Sequence, residues 1–382
     1  MSEEKMNSKE RLLAVLKGKK PDRIPWSPLI DGYFLSSLKE KNIEMNSIEL
    51  LRYIRADILE RHVSTYIDIL QTESSYMINM HPKDIMVQKN IKITTNLNKK
   101  SGEIFNTYET PLGIIKEKYV FTKASPFLPF PVEHKIKKKE DLGIYKYLLT
   151  NIQPVPNFDN FQKIVDYIGD DGLATASGPP TPLLRLLEKD MGVENFYYYL
   201  CDYPKEMEEI LDVMHERNKN IYRIIIKSPA EVIIGYENSS TTLFSPQIYK
   251  NYCLNQINEY ADIVHGAGKI FLTHMCGKLD NIIDLISEGK QDGIADVAPP
   301  PTGDLNISKA LKVWGRNKIV IGGIDATAFT QLSTDGIKKY VSELLNQIGS
   351  VSNFILGSGD ATPYGTPLEN LKAVTEVVEN WQ

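Results

Sequence analysis

IFLTHMCGKLDNIIDLISEGKQDGIADV, residues 270–297, carries the pattern that decides the fold. A short apolar, β-branched run from Ile270 to His274 ends in polar residues. A helix-length amphipathic segment follows, and a second apolar run from Gly293 to Val297 closes the unit. Near-continuous apolarity is what a strand buried on both faces requires, so the unit reads as strand, helix, parallel strand. Working outward, comparable runs occur at Val232 to Tyr236, Ile319 to Gly322 and Phe354 to Gly357, and toward the N-terminus at Ile24 to Leu29, Asp84 to Gln88 and Leu173 to Ser177. Eight such runs favour closure into an α/β (β/α)8 TIM barrel over an open doubly wound sheet, which often shows a glycine-rich phosphate loop after its first strand. No such loop follows Leu29. The residues before the first run are expected to form an N-terminal helical extension.

The interval 90–133 breaks this rhythm. IKITTNL, GEIFNTYETPLG and IIKEKYVF read as antiparallel strands, with turns at Lys99 to Gly102 and Pro111 to Gly113. A β insertion on the barrel is expected there, and such insertions commonly overhang a catalytic face.

Composition narrows the function classes. A chain of 382 residues, 42% hydrophobic and 24% charged, can bury a large core. Its net charge of -5 argues against a nucleic-acid binder, which needs clustered Lys and Arg. The one basic run, Lys135 to Lys139, reads as a solvated turn before Glu140 and Asp141. Three cysteines, Cys201, Cys253 and Cys276, are too few for a disulfide framework and imply a reducing compartment. No apolar stretch approaches a bilayer span, and the N-terminus lacks the apolar core of a signal peptide, so a cytoplasmic location is expected.

In a barrel, residues just past each strand gather at one mouth, where barrel active sites are found. Here that inventory is Asp31, Ser177, Glu237, Asn238, His274, Cys276, Asp296, Asp325, Ser358 and Asp360. Any single Asp among them could equally be a helix cap. His274 and Cys276 stand at i, i+2, which on an extended strand places both side chains on one face. An imidazole and a thiolate suit Zn2+, with Cys253 or Glu237 available as a third ligand, although a buried Cys253 on a helix face is the simpler reading. The segments TASGPPTPLL, APPPTGDL, GGID and GSGD read either as walls and backbone contacts for a ligand or as tight structural turns.

Taken together, DRIPWSPLIDGYF, SGPPTPLLRLL, MGVENFYYYLCDYPKEM, LFSPQIYKNYCLNQI, THMCG, GGIDATAF and TPLENLKAV resemble, in this order, the uroporphyrinogen decarboxylase superfamily. That superfamily includes corrinoid-dependent zinc methyltransferases. The resemblance covers most of the chain and implies one barrel domain over residues 1–382. In the decarboxylases an arginine-rich segment after the first strand pairs with the substrate carboxylates. Here the matching stretch is PLIDGYF, and Asp31 would repel them. The thiol methyltransferases are similar in using His-X-Cys with a later Cys near the last strand. His274 and Cys276 match the first two, while the third falls in GSGD, at Ser358, and no cysteine follows Cys276. The chain also resembles the ether-cleaving methyltransferases, whose metal pattern is two glutamates and a histidine; with His274 as that histidine, the resemblance puts Asn238 and Cys253 at the glutamate positions, with Glu237 one residue away.

The resemblance therefore implies a zinc enzyme that moves a methyl group from a small-molecule methyl ether, such as a methoxylated aromatic, to the Co(I) corrinoid (cobalamin) of a small partner protein. His274, Cys276, Cys253 and Glu237 are the expected metal ligands. Asp296, Asp325 or Asp360 would donate a proton if buried enough. Tyr33, Phe34 and Tyr236 would pack the substrate ring, with Asp31, Asn238 and Ser358 also lining the site. Alternatives are methyl transfer from methyl-corrinoid to a thiol, uroporphyrinogen-type decarboxylation, and a non-catalytic corrinoid carrier. A homodimer is among the assemblies the sequence allows.

Overall fold

The computed structural model describes residues 5–70, 90–98, 100–122 and 125–381. In chain order its strands are β1 (Ile58–Val63), the short β2 (Tyr66–Ile67), β3 (Lys92–Asn98), β4 (Glu103–Thr110), β5 (Gly113–Thr122), β6 (Ser125–Glu133), the short β7 (Val155–Pro156), β8 (Gly172–Gly178), β9 (Val232–Tyr236), β10 (Ile270–His274), β11 (Gly293–Val297), β12 (Ile319–Ile324) and β13 (Phe354–Ser358). Seven of them form one sheet of parallel neighbours in the order β1-β8-β9-β10-β11-β12-β13. The segment around Trp26 closes the circle. It bridges β13 through Trp26 opposite Leu356, with bonds from Ser27 N to Leu356 O (2.9 Å) and from Leu356 N to Pro25 O (2.9 Å). On its other side Asp57 N donates to Trp26 O at 2.8 Å. Pro25 and Pro28 have no N–H to give, which explains why this barrel strand is held by isolated bridges and not by a full ladder.

The expected α/β barrel is thus present, with one strand reassigned. The second barrel position is filled by β1, ILERHV, which the sequence reading passed over, whereas Asp84 to Gln88 lies outside the described residues. Alternate residues point inward. Leu59, Leu173, Val232, Ile234, Leu272, Ala295, Ile319, Ile321 and Ile355 make one interior cluster, completed by Leu12, Val15 and Leu16 of helix α1 (Ser8–Leu16). This helix, started by a capping box between Asn7 and Glu10, is the N-terminal extension, and it plugs the barrel floor. Arg11 fixes it there with bonds to Asp22 (2.6 Å) and Asp57 (2.6 Å).

β3 to β6 form a separate antiparallel meander. It carries one strand more than the sequence suggested, because SPFLPFPVE pairs as the edge strand, where prolines are tolerated. The meander is inserted between the C-terminal end of β1 and the helix Lys139–Asn151, so it leaves the barrel from the mouth face. Its strand β6 packs on helix α2 (Gly32–Lys39), which opens beside that mouth.

A buried polar network joins insertion to barrel, and it corrects the reading of the basic run. Lys135 is 1% exposed, with Nζ 2.9 Å from Glu117 and 2.7 Å from Asp190. Glu117 also accepts from Tyr108 (2.6 Å) and Asn106 (2.9 Å), and Asp190 from Tyr145 (2.7 Å) and Arg185 (2.8 Å). Burial pushes both carboxyls up, but Lys135, with Arg185 at Asp190, outweighs it and holds both below the usual carboxylate range. Only Lys137, Lys138 and Lys139 remain on the surface as a solvated turn would have them. Among the described residues no helix is long and apolar enough to cross a membrane.

Candidate metal centre at the barrel mouth

Leu272 faces the barrel interior, so His274, two residues on, faces it at the top, and Cys276 extends the same side beyond the strand end. Asp360 reaches the same point from the segment after β13. The ligand atoms of His274, Cys276 and Asp360 all lie within 4.8 Å of one another, the only such group of His, Cys, Asp or Glu among the described residues. An imidazole, a thiol and a carboxylate around a shared point are a donor set that fits Zn2+ with one position left for substrate.

The histidine is held from behind. Asp296 Oδ2 lies 2.7 Å from His274 Nδ1, which leaves Nε2 as the ring nitrogen open to a cation. Arg61 pairs in turn with Asp296 Oδ1 and donates to Ser27 O at 3.0 Å. Arg61 and Asp296 side chains are each 1% exposed. Burial pushes Asp296 up, but Arg61 and His274 override it and hold its pKa at about 2. Burial works against a charged His274, yet Cys276 and Asp296 outweigh it and raise its pKa well above the ordinary histidine value. A carboxylate behind a ligating histidine fixes its tautomer and raises its basicity, and losing such support typically costs roughly 10- to 100-fold in metal affinity. Arg61→Met is accordingly expected to lower zinc affinity by about that factor, read by competition between the apo protein and a chelator. Unchanged affinity would show that Arg61 merely fills space.

Two non-glycine residues at the site hold left-handed backbone: Asp296 at φ 66° and Asn238 at φ 41°. Such conformations cost roughly 1–3 kcal/mol each and persist where the surroundings impose them. Asp296 sits where the β11–β12 register shifts, and Asn238 N donates to His274 O at 3.0 Å while its Nδ2 donates to Glu188 at 3.2 Å. Tyr236 is paired in register with His274, with ring centroids 5.2 Å apart.

The remaining expected residues divide. Glu237 and Cys253 lie outside the three-residue group and make one of their own around Thr181. Thr181 N and Oγ1 donate to Glu237 at 3.0 and 2.9 Å, and Oγ1 approaches Cys253 Sγ at 3.5 Å. Cys253 is fully buried in a π-helical turn, Lys250–Leu254, and burial pushes its thiol well up. Burial likewise raises the Glu237 carboxyl from 4.5 to about 8. The folded state therefore binds that proton more tightly than the unfolded chain, so its contribution to stability is complete below pH 4.5 and is lost as pH climbs through about 8. Glu237→Gln should flatten the decline in urea-unfolding midpoint across that window; a parallel decline in both proteins would refute it.

Ser358 Oγ accepts from Leu29 N at 2.9 Å, so it ties the closing strand, and Asp360, not Ser358, completes the group with His274 and Cys276. Asp325 accepts from Thr302 Oγ1 (2.6 Å) and Thr327 N (2.9 Å). Burial pushes it up, but these bonds outweigh that and keep it low. Burial raises all three proposed proton donors, but only at Asp360 does it prevail and leave the carboxyl above its ordinary value. Asp31 caps α2 through Phe34 N (3.0 Å), and burial, with Asp360 nearby, raises its pKa. Phe34 is fully buried in the core behind the helix, which removes it as a ring contact, whereas Tyr33 stands on the rim with its ring centroid 5.2 Å from that of Tyr364. The glycines of GGID serve packing. A Cβ on Gly322, φ 136°, would come within 2.5 Å of Val297 O.

Arg61 and Glu188 neighbour the candidate site and were missed by sequence reasoning, which quoted Thr181 only within TASGPPTPLL. The signal for Arg61 was its two-residue offset from Leu59, visible only once ILERHV is taken as a strand.

A closed α/β barrel with a His, Cys and carboxylate group gathered at the C-terminal mouth of its strands defines a barrel of enzyme type. The family model described as uroporphyrinogen decarboxylase (URO-D) matches residues 172–381, more than half of the chain, and the chain belongs to that family. In fold it is similar to a methyltransferase from Methanosarcina mazei, with a TM-score of 0.62 and 15% identity over 98% of this chain and 99% of that one. A weaker likeness links it to a B12-independent methionine synthase from Shewanella sp. W3-18-1, at a TM-score of 0.45 and 11% identity over 94% of each chain. No curated protein sequence matches it.

Proposed function

We propose that this protein is a zinc-dependent methyltransferase that moves a methyl group from a methyl ether of a methoxylated aromatic to the Co(I) corrinoid of a small partner protein. The observation that carries this reading is the convergence of His274, Cys276 and Asp360 on one point at the mouth, with His274 fixed by Asp296 and Arg61. The family and the fold shared with a Methanosarcina methyltransferase support it. Zinc held there would supply a Lewis acid for the ether oxygen, and an oxygen ligand in place of a second sulfur makes it a stronger one.

The chain's own residues supply the rest. Asp296 orients His274, and Tyr236 and Tyr33 flank the approach of an aromatic ring. As a ligand Asp360 would be ionised, and Asp296 and Asp325 are held so by their partners, which leaves Glu188 to hold the proton for the departing oxygen. Its carboxyl is raised by burial and is fixed through Asn238 beside the His274 backbone. Asp31 at the rim disfavours a polycarboxylate such as a porphyrinogen.

A second reading, transfer from methyl-corrinoid to a thiol, is favoured by one observation. The third donor comes from the segment after the last strand, where the resemblance places it in thiol methyltransferases. One experiment separates the two. Purified protein is assayed with cob(I)alamin and methoxybenzoates, and in parallel with methylcobalamin and 2-mercaptoethanesulfonate, before and after zinc removal and re-addition. Zinc-dependent turnover of the ether supports the first reading, and turnover of the thiol alone replaces it with the second. Rates unaffected by zinc removal would overturn the metal role.

A further inference from the structure

At the end of the barrel opposite the mouth, the loop after α1 and the segments entering β12 and β13 border a solvent-open cleft of about 470 Å³. Lys20 lines it from the first, Leu311 and Arg316 from the second, and Ser350, Val351 and Ser352 from the third. Lys20 and Arg316 are exposed, and neither makes an ion pair or side-chain hydrogen bond among the described residues; the Ser350 and Ser352 hydroxyls are equally unengaged. The frame around them is fixed. Asn353 Nδ2 donates to Gly315 O (2.8 Å) and Lys318 O (2.6 Å), which ties the turn bearing Arg316 to the entrance of β13.

No acid lines this cavity, although the chain carries a net charge of -5 and pairs many of its other cations. Residues that bear a guanidinium, an ammonium and two hydroxyls line this one space, and those groups are complementary to the oxygens of a phosphate group. The space falls in the range of small-molecule sites, roughly 300–1,000 Å³, and exceeds what a lone phosphate needs. Leu311 and Val351 provide an apolar wall for the remainder of a ligand. We propose that this floor cavity binds a phosphate ester of about mononucleotide size. Because the floor of such a barrel governs stability and not chemistry, the ligand would act by stabilising the fold.

The test uses the full chain in calorimetric titrations with AMP, adenosine and inorganic phosphate. Saturable AMP binding is expected, with phosphate weaker and adenosine undetectable. The double variant Lys20→Ala with Arg316→Ala should weaken AMP at least tenfold with an unchanged circular dichroism spectrum, as both side chains are solvent-exposed. Failure of AMP to saturate, adenosine binding as tightly as AMP, or full affinity in the double variant would overturn the proposal. Equally weak binding of phosphate and AMP, with nothing gained from the nucleoside, would mean an adventitious ion only and would overturn it as well.

Discussion

On the proposed function, replacing His274 with alanine is expected to abolish zinc retention at the mouth and to slow methyl transfer by roughly a thousandfold or more, the scale of losing several kcal/mol of charge stabilisation. The imidazole is the one donor of the three that is itself held by a buried ionic partner, so Cys276 and Asp360 alone would keep neither the geometry nor the third ligand. The fold should survive, because Asp296 retains Arg61 and the interior layer beneath, from Leu272 to Ile355, is untouched. Metal content by mass spectrometry and the near-ultraviolet dichroism of the variant give the two readouts. A folded variant that still holds one zinc per chain would place the ion elsewhere. A variant that fails to fold would mark His274 as structural, and Arg61→Met would then decide whether zinc affinity follows the same chain of contacts.

Lys135→Met is expected to destabilise the protein by about 3–5 kcal/mol, the range for removing one partner of a buried charge pair. It strips Glu117 of its only paired cation among the described residues and leaves Asp190 with Arg185 and Tyr145. Lys137→Met and Lys138→Met, on the exposed part of the same run, should each change stability by no more than about 0.5 kcal/mol. Urea unfolding of the three variants side by side checks the contrast, and three similar values would mean that the network between insertion and barrel contributes little.

Most of the barrel was legible because buried parallel strands are written as near-continuous apolar runs, and β8 to β13 follow that pattern with few polar breaks such as Thr175 and Asp296. ILERHV escaped that reading because Glu60, Arg61 and His62 interrupt its apolar pattern, yet Arg61 points into the barrel, where Asp296 compensates its charge. SPFLPFPVE escaped because three prolines argue against a strand, a rule that relaxes at a sheet edge. Lys135 looked solvated because its two buried counter-charges, Glu117 and Asp190, are distant in sequence. At the site, the i, i+2 pair His274 and Cys276 was readable as a motif. The third member was not, since Ser358 and Asp360 lie two apart and only the turn after β13 decides which reaches the histidine. Cys253 and Glu237 had the right chemistry, but Thr181 gathers them into a separate buried group.

Two of the three converging donors come from β10 and its extension, while the third follows β13, with β11 and β12 between them in the sheet. On the proposed function neither half would grip the ion alone, so its capture would wait until the circle of strands has shut. A cation seated there would be a clasp across four neighbouring staves, resisting any opening between them. Loading should then slow amide exchange in β11 and β12, strands that contribute no ligand at all.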